Sequence, residues 1–268
     1  MKLDFYQPKN AILKKYIEGY YFIQRQENHK SIEYWTFPNN FFIVSVNLGA
    51  RVEISQDKIY IASSGEDSVT ADFVTRYTKP IEVIYKDVIQ EITIYFKPLG
   101  IHHFIPKTDL LFEQENGVGF NPFPDFYTVM KELFRLEDRS IQIEKLEQYW
   151  LSKFITKDLQ LAEFILRDVE ADLKINEIAE KHGISRQHLN TLFVKYLGKS
   201  PSEYRKIHRF RAALLKKKTT KSLTHLTYES LFYDQSHMVK DFKALTKSNP
   251  QAFFKSVDVE KENVWLFI

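Results

Sequence analysis

The second half of the chain repeats itself, and this repeat constrains the fold more than any other feature. The segments FVKYLGKSPSEYRK (193–206) and FKALTKSNPQAFFK (242–255) align without a gap at an offset of 49 residues. In both, a Phe is followed by Pro eight residues later, by an aromatic residue at eleven and by Lys at thirteen. Upstream, residues 176–189 correspond to residues 224–238, with one additional residue in the second copy. Two copies of one supersecondary unit therefore lie in tandem.

Local sequence predicts that each copy is a helix-turn-helix. In the first copy, Asn176 is the predicted cap of a helix whose Ile178 and Ala179 face inward. The chain is then predicted to turn at Gly183, because glycine readily adopts the backbone conformation that ends a helix. Ser185 is the predicted cap of the second helix.

The second helix of each copy has one apolar and one polar face. Asp234 is the predicted cap in the second copy, and Pro201 and Pro250 each open a following helix, where a missing N–H costs nothing. The inward positions are Leu189, Leu192, Phe193 and Tyr196 in the first copy and Met238, Phe242 and Leu245 in the second.

Charge is distributed unevenly along the chain. Residues 174–255 contain 17 Lys and Arg against 6 Asp and Glu, whereas residues 1–150 contain 17 against 21. A local excess of this size favours a polyanionic partner, because each neutralised phosphate releases condensed counterions. The alternative is a solvated basic surface without a specific partner.

Short runs rich in β-branched and aromatic residues follow one another between positions 32 and 96, without helical periodicity between them. They are IEYWTF, FFIVSVNL, RVEIS, KIYIAS, IEVIYK and IQEITIYF, the last with the alternation of a half-buried strand. The pattern is typical of a small antiparallel barrel or sandwich, and we predict an α+β chain with a small cupin-like β-barrel and a helical C-terminal part. The predicted divisions are a β-rich domain (1–120), a helical connector (121–156), a double helix-turn-helix (157–256) and a tail (257–268).

The C-terminal part resembles the DNA-binding region of the AraC/XylS family of bacterial transcription regulators. The resemblance rests on IAEKHGISRQHLNTLFVKYLGKSPSEY and LFYDQSHMVKDFKALTKSNPQAFF, joined by the connector SEYRKIHRFRAALLKK (202–217). It implies two helices that enter successive major grooves of double-stranded DNA. The base-reading positions that it implies are Gln187, Asn190, Thr191, Ser236, His237 and Lys240. The phosphate candidates are Arg186, Lys195, Arg205, Arg209, Lys243 and Lys247.

Several positions depart from the family pattern. Leu231 stands where the second turn usually has glycine, Thr227 replaces a small inward residue, and Lys247 replaces the glycine that closes the recognition-like helix. A leucine is unfavourable at a position that requires positive φ. The second turn is therefore expected either to bend differently or to contribute less specificity.

The N-terminal half resembles, more weakly, the β-barrel sensor or dimerisation domain of the same family. The resemblance implies a small-molecule effector, a homodimer through the amphipathic segment 141–154 and contact with RNA polymerase. Six residues could form an aromatic pocket with a charged anchor, although an ordinary aromatic core is the alternative. They are Trp35, Phe37, Phe42, Tyr60, Arg76 and Tyr77.

Three hypotheses about function stay open from sequence. The β-rich domain binds a small molecule and controls DNA binding, or it serves only dimerisation or protein contact while DNA binding is constitutive. In the third, the helical half binds protein instead of DNA.

Catalysis is not expected. The chain has no cysteine, no phosphate-binding glycine loop and no HExxH sequence, and its N-terminal half holds only His29, His102 and His103. We predict no catalytic residue, metal or cofactor. No run of 18 apolar residues and no signal peptide is present, so a cytoplasmic protein is expected.

Overall fold

The computed structural model describes residues 4–23, 32–55, 57–87, 89–108, 117–220 and 222–257. The chain forms two compact units. The first, called the sheet unit, contains residues 1–33, 41–75 and 83–158. The second, called the helical unit, contains residues 34–40, 76–82 and 159–268, so it takes two short segments from the predicted β-rich domain.

In the described part of the chain, ten strands form two separate sheets. The larger contains β1 (Asp4–Tyr6), β2 (Ile17–Ile23), β4 (Phe42–Leu48), β7 (Val69–Val74), β9 (Gln90–Phe96) and β10 (Gly117–Val118), in the order β1-β2-β9-β4-β7-β10 with antiparallel pairing. The smaller contains β3 (Ile32–Thr36), β5 (Ala50–Ile54), β6 (Lys58–Ser63) and β8 (Ile81–Tyr85), in the order β3-β8-β6-β5.

The α+β class is confirmed, but the prediction of a closed barrel is wrong for the described strands. The larger sheet ends at β1 and β10, and each of these short strands pairs with a single neighbour. Two open sheets result. All six runs predicted from sequence are strands, whereas β1, β2, β7 and β10 were not predicted.

Strand β9 is buried on both faces, not half-buried as its alternation suggested. Every residue from Glu91 to Phe96 is buried. One face carries Phe96, whose ring lies 5.0 Å from that of Trp150. The other carries Glu91, which accepts a hydrogen bond from Tyr85 of β8. A polar residue in this strand is therefore an interior residue.

Helices cover the apolar side of the sheet unit. They are α1 (Ala11–Tyr16), α2 (Phe126–Phe134), α3 (Arg139–Ser152) and a short 3-10 helix (Gly100–His103). The predicted stripe of α3 is buried within this unit through Ile143, Leu146, Tyr149 and Trp150. Because the unit itself covers this stripe, the stripe does not support the predicted homodimer contact through 141–154.

The helical unit contains seven helices in the described residues. They are α4 (Gln160–Glu170), α5 (Ile175–Lys181), α6 (Arg186–Leu197), α7 (Pro201–Lys217), α8 (Leu223–Glu229), α9 (Gln235–Thr246) and α10 (Pro250–Ser256). Apolar residues of α7, α8, α9 and α10 form one core cluster, which includes Phe210, Leu214, Leu226, Phe242 and Phe253. Of the predicted tail, only Val257 lies within the described residues, and it joins the same cluster.

In the described ranges, every helix is too short or too polar to cross a lipid bilayer.

Candidate nucleic-acid interface

The first copy of the repeat forms a helix-turn-helix from α5 and α6. Gly183 has φ of 63° in the turn between them, and Ser185 caps α6 by accepting a hydrogen bond from the His188 N–H at 3.1 Å. The predicted cap of α5 is wrong: Lys174 occupies that position, and its N–H donates to the Glu177 carboxylate at 3.1 Å. Asn176 instead lies in the first turn, because the helix begins at Ile175, two residues earlier than predicted.

The second copy repeats this backbone with different residues. Leu231 has φ of 62°, close to the 63° of Gly183, and Lys247 has φ of 60°, close to the 66° of Gly198. Asp234 caps α9, since its Oδ1 accepts from the His237 N–H at 2.7 Å. The expectation that the second turn bends differently is therefore wrong. The fold imposes the left-handed conformation on a leucine and a lysine, which costs each about 1 kcal/mol or more.

The inward faces of α6 and α9 pack as predicted. Leu189 and Phe193 are buried on α6, and Met238, Phe242 and Leu245 are buried on α9. Two of the predicted inward residues, Leu192 and Tyr196, are half-buried. Opposite these faces, five of the six predicted base-reading side chains are exposed: Gln187, Asn190, Thr191, Ser236 and Lys240.

His237, the sixth predicted base reader, is turned toward the protein. Its side chain is half-buried, and its Nε2 lies 3.1 Å from Nη2 of Arg209 and 3.4 Å from Oδ2 of Asp241. The Phe232 ring packs edge-on against it at 5.7 Å. We therefore assign His237 to positioning α9 against α7.

Two predicted phosphate residues, Arg209 and Arg205, bind other groups of the helical unit. Arg209 is buried and donates to Asp241 at 2.8 Å, in an ion pair that joins α7 to α9. Arg205 is half-buried and binds the Leu173 carbonyl and the Asp172 carboxylate. Burial lowers the pKa of Arg205, and neighbouring Asp172 offsets part of this effect. Both arginines are thus engaged by neighbouring groups, because the long helix α7 turns these positions toward the rest of the helical unit, and their contact with phosphate stays a prediction.

The other four phosphate candidates are exposed. They are Arg186 and Lys195 on α6, Lys243 on α9 and Lys247 at the end of α9. In the described part of the chain, Arg186, Lys240 and Lys243 form no ion pair, so their charges are available to an external anion. Lys247 lies over the Trp35 ring, 5.9 Å from its centre.

Residues 34–40 form part of the core of the helical unit. The Phe37 ring is buried 5.2 Å from that of Phe253 and 6.5 Å from that of Phe210. Arg211 of α7 donates to the Pro38 carbonyl at 2.8 Å and also to the Phe37 carbonyl. This segment is therefore held by both ring packing and charged hydrogen bonds.

Residues 76–82 are held against the beginning of α7. Arg76 forms a two-point ion pair with Glu203, at 2.9 and 3.0 Å. Tyr77 donates to the Phe37 carbonyl at 2.6 Å, which ties this segment to residues 34–40. Nearby, burial lowers the pKa of Lys199 to about 8, although Glu203 acts in the opposite direction.

The six predicted pocket residues divide between the two units. Trp35, Phe37, Arg76 and Tyr77 belong to the helical unit, whereas Phe42 and Tyr60 belong to the sheet unit. Within the sheet unit, Phe42 stacks on Phe73 at 6.2 Å, and Lys86 lies 5.0 Å from the centre of the Tyr60 ring. Phe37 and Phe42 are buried, as the aromatic-core alternative expects, whereas Trp35 is 38% exposed. The aromatic pocket stays a prediction.

His102 and His103 are buried in the sheet unit. His102 lies 2.7 Å from the Thr108 hydroxyl, and the His103 ring packs at a tilt against the Tyr16 ring, with the ring centres 4.2 Å apart. Within the described ranges, no group of three His, Asp or Glu side chains is placed to hold a metal ion. His29 lies outside the described residues.

Sequence reasoning missed two exposed tyrosines beside α9. Tyr233 is 86% exposed in the turn before the helix, and Tyr228 is 67% exposed at the end of α8. Large aromatic side chains with a hydroxyl are suited to packing on sugars and donating to phosphates. The signal available in sequence was the outward position of both tyrosines, because neither belongs to an apolar stripe.

Comparison with known families covers this part of the chain. Residues 178–256 match the family model described as "Helix-turn-helix domain". These residues form an AraC-type helix-turn-helix domain. The AraC-type domain thus spans α6 to α10 and most of α5, including both turns described above.

Two curated proteins are similar in sequence. The HTH-type transcriptional regulator YkgA of Escherichia coli is 33% identical over 95 residues, which is 35% of this chain and 40% of that protein. An uncharacterized HTH-type transcriptional regulator of Haemophilus influenzae is 27% identical over 148 residues, which is 54% of this chain and 49% of that protein. The chain thus spans less than half the length of either relative.

Solved structures of ToxT from Vibrio cholerae are also similar. One aligns with a TM-score of 0.46 and 12% identity, over 88% of this chain and 97% of that chain. A second, of ToxT with a bound unsaturated fatty acid, aligns with a TM-score of 0.45 and 13% identity, over 86% of this chain and 96% of that chain.

Proposed function

We propose that the protein is a sequence-specific DNA-binding transcription regulator. The observation that carries this proposal is the repeated helix-turn-helix in which a polar edge of α6 and a polar edge of α9 both stay exposed. An α-helix fits the major groove of B-DNA, where the polar side chains of its first turns meet base edges.

The side chains divide into two proposed roles. Gln187, Asn190 and Ser236 are short or medium polar groups near the helix beginnings, which suits hydrogen bonds to base edges. Arg186 and Lys243 are exposed charges without an ion pair in the described residues, which suits phosphates. Thr191 and Lys240 stay in the base-reading set, and Lys195 and Lys247 stay in the phosphate set.

Backbone conservation between the two copies supports a role for both. Leu231 and Lys247 keep the positive φ of their glycine counterparts at an energetic cost. The cost is offset by burial of Met238 and Phe242, which fixes the direction of α9. The second copy therefore presents its edge as the first copy does.

The experiment is selection of preferred sites from random double-stranded DNA by the full chain, followed by fluorescence anisotropy on the best site. Asn190→Ala should cost roughly 1–3 kcal/mol on that site and relax preference at one or two base pairs. Lys240→Ala tests a base contact against a phosphate contact. If this lysine meets phosphate, the slope of log affinity against log salt falls by about one on all sequences.

Exposed residues of α3 provide matched controls, since Gln148→Ala and Lys145→Ala leave the proposed interface intact. Selection that yields no preferred sequence would refute base reading and favour the protein-binding hypothesis. Equal loss on every DNA sequence would remove Asn190 from the base-reading set.

The proposal includes control of DNA binding by a small molecule in the sheet unit. Two buried hydrogen-bond acceptors of this unit, Asn47 and Asp72, support ligand control rather than a purely dimerising role. The constitutive alternative predicts the same DNA affinity with and without any ligand. Homodimer formation and contact with RNA polymerase stay predictions from the family resemblance.

A further inference from the structure

The larger sheet carries a group of hydrogen-bond acceptors on one interior face. Asn47 of β4 lies directly opposite Glu91 of β9, and Ser45 of β4 lies directly opposite Asp72 of β7. Side chains of directly opposed residues point to the same face of an antiparallel sheet, and residues i and i+2 of one strand share that face. Asn47, Asp72 and Glu91 therefore share one face, and we call them the acceptor cluster.

All three residues are shielded from solvent. Asn47 is 1% exposed, Glu91 2% and Asp72 5%. A buried carboxylate without a cationic partner is costly, because burial removes the hydration that stabilises its charge. Neither Asp72 nor Glu91 has a cationic partner among the described residues.

Glu91 obtains its stabilisation from hydroxyl groups. Its Oε1 accepts from Tyr21 at 2.7 Å and from Thr93, and its Oε2 accepts from Tyr85 at 2.6 Å. These contacts partly offset the effect of burial, which raises the pKa of Glu91. Both carboxylate oxygens of Glu91 therefore accept hydrogen bonds from the protein itself.

Asn47 and Asp72 are not satisfied in the same way. The amide oxygen of Asn47 is buried without a hydrogen-bond partner in the described structure. The carboxylate of Asp72 forms no hydrogen bond or ion pair with any described residue. Burial, together with the nearby Glu91, raises the pKa of Asp72 to about 7. Two polar groups without a partner in the described structure, an amide oxygen and a carboxyl group, thus share one face with Glu91.

The donor set of a complementary ligand follows from these acceptors. A primary ammonium carries three N–H donors, one positive charge and no acceptor, so it satisfies an amide oxygen and a carboxylate together. A carboxylate or phosphate ligand would be repelled. The described residues offer no third His, Asp or Glu that would complete a metal site here.

We propose that the acceptor cluster of the sheet unit binds the ammonium group of a small organic amine. Asp72 supplies the main negative charge, and Asn47 supplies a second acceptor. Glu91, which accepts hydrogen bonds from three hydroxyl groups, adds to the negative potential without contacting the ammonium group. The inference rests on the ligand-controlled form of the proposed function, and it names the chemical class of the controlling molecule.

The test is thermal unfolding and isothermal titration calorimetry of the full chain with three amines: n-butylamine, 1,4-diaminobutane and agmatine. 1-Butanol and butanoate are the uncharged and anionic controls of similar size. At least one amine should raise Tm by about 2–4 °C at millimolar concentration, and neither control should do so.

Two variants identify the site. Asp72→Asn keeps the shape and removes the charge, so it should weaken amine binding at least tenfold, and Asn47→Leu should also weaken it. Asp57→Asn, an exposed acidic control outside the acceptor cluster, should bind amine as the unmodified chain does.

No rise in Tm with any of the three amines would overturn the proposal. An equal rise in Asp72→Asn, or an equal rise with 1-butanol, would also overturn it. Anisotropy on the selected DNA site is measured in the same samples. Amine binding without DNA binding would refute the proposed function as a DNA-binding regulator but support the amine site. DNA binding without amine binding would support the proposed function and refute the amine site.

Discussion

Replacing Asp72 with asparagine should stabilise the ligand-free protein, and the gain should depend on pH. Asp72 is 5% exposed and has no cationic partner in the described residues. Burial, together with the nearby Glu91, raises its pKa from 3.8 to about 7. Asparagine keeps the volume and the oxygen but carries no charge, so this cost disappears in the variant.

The sign of the pH dependence follows from the direction of the shift. Well below pH 3.8 the carboxyl is protonated in both the folded and the unfolded chain, so it contributes no difference. Between pH 4 and 7 the unfolded chain loses the proton while the folded chain retains it, and stability falls. Above about pH 7 the cost is complete, and a shift from 3.8 to about 7 corresponds to about 4 kcal/mol.

The assay is urea denaturation of the full chain and of Asp72→Asn at pH 4 and pH 8. The variant should gain less than about 1 kcal/mol at pH 4 and about 2–4 kcal/mol at pH 8. Asp57→Asn, on the exposed surface, serves as the control. A variant that is less stable at pH 8, or that gains equally at both values, would show that Asp72 is stabilised by an interaction not recognised in the sheet.

Two further predictions concern the helical unit. Phe37→Ala should lower the free energy of unfolding by about 3–5 kcal/mol, because it leaves a cavity beside Phe210 and Phe253; an unchanged urea midpoint would separate this residue from the core. Leu231→Gly should raise stability by about 1 kcal/mol because it relieves a positive φ, and Gly183→Leu should lower it by a similar amount. Thermal unfolding of the two variants measures both changes, and shifts of the same sign would contradict the shared turn conformation.

The helix boundaries could be predicted from sequence because capping is a local interaction. Ser185 and Asp234 bond to N–H groups three residues later, and Pro201 and Pro250 open helices at the position where no N–H is needed. The prediction failed at Lys174, where the Glu177 carboxylate accepts from the N–H of the capping residue and the capping side chain accepts no hydrogen bond.

The contacts of charged and aromatic residues could not be predicted in the same way. Arg209 looked like a surface cation, but its partner Asp241 lies 32 residues further along the chain. Phe37 looked like part of a pocket, but its ring contacts Phe253 of the last described helix. Such pairings depend on long-range packing, which composition and periodicity do not encode.

Strand β9 shows the same limit in the sheet unit. Alternation placed Ile92, Ile94 and Phe96 on one face and Thr93 and Tyr95 on the other, which predicted a half-buried strand. The second face is instead an interior lined by polar groups. The alternation of residues therefore predicted the strand but not the burial of its second face.

The composition of the helical unit has a practical consequence for dissecting the protein. A fragment that starts at residue 157 lacks the ring of Phe37 and the two carbonyls that receive Arg211, so an excised piece would have a hole in its interior and an unsatisfied guanidinium. A chimera that joins the N-terminal part of one relative to the C-terminal helices of another at one position would have the same defect. A transplantable module therefore has to include residues 34–40 and 76–82, or substitutes for them.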